Sequence, residues 1–170
     1  MQIGDEAAGF TLKDTEGGEH AFPADDTPTV VMFTCNHCPY ALAWHDRLLQ
    51  VARDYGDVRF VAINSNDAER YPRDSFEAMR ERVEQDGGWP APYLHDATQE
   101  VARAYDAKTT PDVFVLDSGG ALRYRGAPDA DHNDESENAA WLREALDAVQ
   151  AGEEPGRPET DPVGCSIKWK

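Results

Sequence analysis

Apolar positions along the chain change period, and those changes mark the elements. Thr29-Val30-Val31-Met32-Phe33 and Val58-Arg59-Phe60-Val61-Ala62-Ile63-Asn64 are short and almost continuously apolar, the pattern of strands buried on both faces. Between them Ala41, Trp44, Leu48, Val51, Ala52 and Tyr55 recur at helical spacing, with Leu42, His45 and Leu49 beside them. Ala43, Arg47, Gln50 and Asp54 form the face expected in solvent. His45 reads as a satisfied core histidine rather than a base. Strand–helix–strand of this length predicts a right-handed βαβ unit.

The flanking segments complete the picture. Phe10-Thr11-Leu12 and His20-Ala21-Phe22, with Asp14 to Gly18 as the turn, predict an N-terminal hairpin. Asn64-Ser65-Asn66-Asp67 leaves the C-terminal edge of a strand, where ligands collect in open α/β sheets. Asp74-Ser75-Phe76-Glu77 has the form of a capping box opening a helix to about Gln85. Pro90 and Pro92 force an extended path into Tyr93-Leu94-His95, and Trp89 is expected to pack over this insertion. Thr98 is placed to cap a short helix through Val101, Ala102 and Tyr105. Pro111 opens the apolar run Val113 to Leu116, which turns at Ser118-Gly119-Gly120 into Ala121 to Arg125. Pro128 to Asn138 reads as an acidic loop, and Trp141, Leu142, Ala145, Leu146 and Val149 mark a closing helix. The expected organisation is one domain over 1–150 and an extended tail over 151–170. The tail ends in Gly164-Cys165-Ser166-Ile167-Lys168-Trp169, too apolar to remain free, so this end is expected to dock.

Composition narrows the function. A 170-residue chain buries about 70 % of its unfolded surface and needs no disulfide framework. The N-terminus has no signal-peptide pattern and no run reaches membrane-spanning length, so the expectation is a soluble, cytoplasmic protein. Asp and Glu number 33 against 16 Lys and Arg, a net charge of −17. Such a surface repels nucleic acid and anionic membranes. Only Lys13, Lys108, Lys168 and Lys170 are lysines, which fits adaptation to high salt. Stability is then expected to rise steeply with salt, as the screening length falls from about 10 Å in 0.1 M to below about 3 Å beyond 1 M. A thermal melt that stays put across that range would remove the halophilic reading.

The chemistry sits in Thr34-Cys35-Asn36-His37-Cys38-Pro39-Tyr40, a C-x-x-C between a buried strand and a helix. That placement favours a redox dithiol over a zinc knuckle, which needs further ligands at matched spacing. Thiolates at helix N-termini have pKa values lowered from about 8.5 to roughly 3.5–7.5. Cys35 is expected to be the exposed attacker and Cys38 the shielded resolving thiol. His37, if protonated, adds positive charge beside both. Cys165 is a possible further resolving thiol. Three activities stay open: thiol–disulfide exchange, peroxide reduction through a sulfenic acid, and soft-metal binding through Cys35, His37 and Cys38. The first two require no cofactor and no metal.

The order of parts resembles the thioredoxin fold. Cys35 to Tyr40, Ala62 to Asp67, Tyr71-Pro72 with Ser75-Phe76, Thr110-Pro111-Asp112 and Gly164 to Trp169 resemble the peroxiredoxin-like redoxins of the alkyl hydroperoxide reductase and thiol-specific antioxidant superfamily. The resemblance implies an α/β thioredoxin-like fold, with a mixed central sheet, an N-terminal hairpin and a helical insertion. It implies a catalytic Cys35–Cys38 pair, with Cys38 also at the peroxidatic position. It makes Pro111 a cis-proline whose preceding residue, Thr110, pairs with substrate strands. Partners would be protein or small-molecule disulfides, or peroxides, and a cellular thiol reductant. Two departures stand out. Val31 and Cys35 occupy places where peroxiredoxins carry Pro and Thr or Ser, and strand 29–33 holds no carboxylate for proton relay. Arg123 or Arg125 is placed to supply the family arginine.

Overall fold

The computed structural model describes residues 1–170. Seven strands form one mixed sheet in the order β2-β1-β5-β4-β3-β7-β8. They are β1 (Phe10–Asp14), β2 (Glu19–Phe22), β3 (Thr29–Phe33), β4 (Arg59–Asn64), β5 (Tyr93–His95), β7 (Asp112–Leu116) and β8 (Leu122–Gly126). Parallel pairing joins β3, β4 and β5, and antiparallel pairing adds the two hairpins at the edges. A two-residue strand β6 (Thr109–Thr110) stands outside this sheet and pairs with β9 (Cys165–Ser166). The helices are α1 (Pro39–Asp54), α2 (Phe76–Gln85), α3 (Glu100–Tyr105) and α4 (Ala140–Gln150). None is long and apolar enough to cross a membrane.

The continuous apolar runs resolve into two cores because strand side chains alternate. Val30 and Met32 join Trp44, Leu48, Val51, Leu142 and Leu146 on the α1–α4 face. Val31 and Phe33 join Phe10, Val101, Tyr105 and Ile167 on the other.

Four expectations about local structure change. Arg47 is not solvated. It is buried, and its Nη1 donates to the buried Asp129 carboxylate at 2.9 Å. Asp129 also accepts from the Trp44 indole and the Ala139 N–H, both at 2.9 Å. The acidic stretch after Pro128 therefore folds back over α1, and the face facing it is a core face. Leu42, expected beside Cys38, is 49 % exposed and borders an open cleft between α1 and α2. At the start of α2, Ser75 alone caps, accepting from the Ala78 N–H at 3.1 Å. Asp74 turns inward and is fully buried. At α3, the buried Asp96 accepts from the Val101 and Ala102 N–H groups. Thr98 contributes only a long contact from Glu100 N–H, 3.4 Å.

Candidate active site

The dithiol lies at the C-terminal edge of β3, as the βαβ pattern requires. Helix α1 begins at Pro39, whose missing N–H costs nothing at the first helical position. Cys38, not Cys35, is thus the N-cap residue. This moves the favourable end of the helix dipole onto the second cysteine. Both sulfurs are covered: Cys35 and Cys38 are each 1 % exposed. The expected contrast between an exposed Cys35 and a shielded Cys38 is absent.

Thr110 touches both. Its hydroxyl lies 3.3 Å from Cys35 Sγ, and its carbonyl accepts from Cys38 Sγ at 3.2 Å. The Thr110–Pro111 bond is cis, as is Phe22–Pro23. Tyr40 and Cys165 pack against the cluster of Cys35, Cys38 and Ala41. The three thiols divide the charge unequally. The Cys38 pKa is lowered to about 4, first by the Cys35 thiol that hydrogen-bonds its thiolate and against its own burial. Cys165, the Ala41 N–H and Thr110 act in the same direction. Cys35 is pushed far up, first by its hydrogen bond to Cys38, then by burial and the Asp74 charge. Burial, then Cys38, raises Cys165 to about 11. These influences favour the charge on Cys38 over Cys35, and a Cys38 thiolate gives up its donation to the Thr110 carbonyl.

A buried polar cluster backs the loop between the cysteines, and sequence reasoning missed most of it. Asp74 Oδ1 accepts from the Asn36 N–H at 2.7 Å and from Asn64 Nδ2 at 3.0 Å. Asp74 Oδ2 accepts from Asn66 Nδ2 at 3.0 Å. His37 Nδ1 lies 2.6 Å from the same oxygen, a close contact not aligned as a hydrogen bond, and its ring stacks on Tyr71. His37 thus faces a carboxylate as well as the Cys35 sulfur. Arg82 Nη1 donates to the Cys35 carbonyl at 2.7 Å, and Tyr93 Oη donates to Asn36 Oδ1 at 2.7 Å. The available signal for Asp74 was a second acid directly before a serine already sufficient to cap. The relay carboxylate missing from β3 has two buried counterparts nearby, Asp74 and Asp112. Burial, opposed by the Lys108 N–H and Arg125, raises Asp112 to about 6.

Ligand atoms of Cys35, His37 and Asp74 lie within 4.8 Å of one another. Cys38 is not in that group, so the trio left open for a soft metal, Cys35, His37 and Cys38, is not the one brought together. Asp74 already serves donors on both oxygens, which is how a structural cluster is satisfied.

Other expected residues lie elsewhere. Arg125 donates to the Met1 and Asp106 carbonyls and Arg123 pairs with Asp117, so neither guanidinium serves the cysteines. His45 contacts Asp86 at 2.9 Å on the rim of the α1–α2 cleft, and burial followed by Arg82 holds its pKa below the ordinary histidine value. Trp89 stacks on Tyr93 with ring centroids 4.4 Å apart, a packing role.

The sequence pattern of the AhpC/TSA family matches residues 3–125. The chain belongs to the AhpC/TSA family. Two solved structures resemble it over nearly its whole length. An uncharacterized conserved protein from Geobacillus kaustophilus is 41 % identical, with a TM-score of 0.93 over 99 % of this chain and 93 % of the other. The hypothetical protein SMc02350 from Sinorhizobium meliloti 1021 is 36 % identical, with a TM-score of 0.94 over 100 % and 96 %. A putative thioredoxin from Neisseria meningitidis is 20 % identical, with a TM-score of 0.68 over 85 % and 89 %, a likeness of fold. No curated protein matches. This AhpC/TSA member is thus a thioredoxin-like redoxin, and the family supports a redox function.

Proposed function

We propose that this AhpC/TSA protein is a thiol–disulfide oxidoreductase whose Cys35–Cys38 pair cycles between dithiol and disulfide. The observation that carries the reading is the shared contact of both sulfurs with Thr110, beside a Cys38 favoured as thiolate. The Cys38 thiolate attacks a disulfide, forming a mixed disulfide and releasing one thiolate. Cys38 then bears no charge, which removes the largest influence holding the proton on Cys35. Cys35 loses its proton to the departing thiolate and attacks Cys38 Sγ. The substrate leaves as one thiol and one thiolate, which takes a proton from water, and the protein as a disulfide. A thiol reductant returns the pair to the dithiol. Cys165, packed beside Cys38, is a further thiol able to resolve an adduct there.

Reduction of a hydroperoxide is the second reading, favoured by the same Cys38 thiolate at the helix N-cap. Cys38 would become a sulfenic acid, and Cys35 would condense with it, releasing water. Against it, Cys35 takes the place of the peroxide-orienting hydroxyl, and Arg123 and Arg125 are engaged elsewhere.

Cys35→Ser, combined with Cys165→Ser, is expected to accumulate a mixed disulfide on Cys38 when mixed with a disulfide substrate. Intact-mass measurement reads it directly. A variant that turns over at the wild-type rate, or that carries only sulfenic acid after peroxide and never an adduct, would defeat the oxidoreductase reading.

A further inference from the structure

The C-terminal strand lies against the residue that holds both sulfurs. β9 pairs antiparallel with β6, with Cys165 opposite Thr110 and Ser166 opposite Thr109. β6 has no other strand partner. Gly164 sits so close that a Cβ there would overlap the Thr110 carbonyl oxygen. A strand edge accepts one added strand at a time, and main-chain hydrogen bonds supply much of the affinity of strand addition. Any peptide that brought its disulfide to Cys35 and Cys38 by pairing beside Thr110 would need the edge that β9 fills. The tail also presents its own cysteine to Cys38 in an extended strand, the arrangement such a peptide would adopt.

The tail is tied down well beyond β9. Ile167 is buried in the second core, and its N–H donates to the Lys108 carbonyl at 3.1 Å. Lys168 N–H donates to Asn66 Oδ1 at 2.9 Å. The Lys168 carbonyl accepts from the Asp67 N–H and Gln99 Nε2. Arg103 lies over the Trp169 ring at 4.6 Å. Displacing the whole strand breaks all of these contacts. Moving only the Cys165 side chain breaks none of them.

We infer that residues 164–167 are a built-in pseudo-substrate strand that bars polypeptide disulfides from the dithiol and leaves the site to low-molecular-mass disulfides. This rests on the oxidoreductase reading for turnover, while occupancy of the edge is testable without it. Under the inference the tail sets substrate size, and release of the tail widens it.

The test compares the pre-reduced full chain with Gly164→Val and with a chain ending at Val163. Single-turnover reduction is measured on insulin and on bis(2-hydroxyethyl) disulfide. Both variants are expected to raise the insulin rate relative to the small disulfide by about tenfold or more, the equivalent of about 1.4 kcal/mol of displaced strand pairing. An unchanged or lower ratio in the folded variants overturns the inference. Gly164→Val keeps the anchors that follow it and serves if the shortened chain does not fold. In parallel, a fluorescent peptide of residues 162–170 carrying Cys165→Ser is titrated onto each protein. Binding to the variants but not to the full chain supports the inference, and equal binding or none at all overturns it. If neither disulfide is reduced by any form while the peptide discriminates, the oxidoreductase reading fails and the self-occupied edge stands.

Discussion

The reduced protein is expected to keep one thiolate down to about pH 4, and that thiolate is Cys38. An ordinary cysteine, with a pKa near 8.5, is only a few per cent ionised at neutral pH. The cause is local. The neighbouring Cys35 thiol is the first influence that lowers the Cys38 pKa, and Cys38 is the N-cap residue of α1, where the dipole favours negative charge. The sign follows from the group: an acid with a lowered pKa is charged above that value and loses its charge as pH falls through it. Thiolate ultraviolet absorbance should therefore fall by one group near pH 4. Cys38→Ser should lack that step. Cys35→Ala should move it several units upward, toward the ordinary range near about 8.5, because it deletes the largest cause. Exchange with a small disulfide should vary little from about pH 5 to neutrality, over which the thiolate is already fully formed. A low-pH step that survives in Cys38→Ser would place the thiolate on Cys35 and reverse the order of attack.

Breaking the Arg47–Asp129 pair is expected to produce the largest loss of stability. Arg47 also donates to the Asp131 carbonyl at 3.0 Å and to the His132 carbonyl. Removing either partner leaves a buried charge without its counter-ion, which costs about 3–5 kcal/mol. In a chain of this size that is a drop in melting temperature of roughly 6–20 °C. Replacing both by apolar residues does not restore stability here, because the Trp44 indole and Ala139 N–H lose their acceptor too. The loop also carries His132 against Tyr40, ring centroids 4.3 Å apart, and Tyr40 packs on the cysteine cluster. Arg47→Ala and Asp129→Ala melts, read as a double-mutant cycle, check the claim. A loss below about 1 kcal/mol in either single variant, the range of an exposed pair, would refute it.

The fold was legible in the sequence wherever apolar period and turn chemistry agreed. The runs 29–33 and 58–64, the hairpins and the closing helix all lie near their expected positions. The dithiol, Thr110 and Pro111 come together as their spacing and resemblance suggested, and Cys165 reaches them through the docked tail. Long-range returns of the chain were not legible. Arg47 looked solvated because nothing near it in sequence reveals that residues 129–132 fold over α1. Asp74 looked like a cap because local pattern cannot distinguish a carboxylate that turns outward from one that turns in. Which sulfur meets the helix dipole is set by the start of α1 at Pro39, a detail finer than the usual uncertainty of an element boundary.

The docked tail divides the last twenty residues into two regimes of tolerated change. From Gly152 to Arg157 the chain is mostly exposed, and looping out extra residues there costs little, about 0.6 kcal/mol for each doubling of loop length. From Gly164 onward the spacing is fixed by alternation. A one-residue deletion would carry Cys165 away from Cys38 and turn Ile167 out of the core at once. Insertions and deletions should therefore be tolerated before Pro158, whose carbonyl is already bonded to Arg125, and not between Gly164 and Lys170, whose N–H is bonded to Gln99.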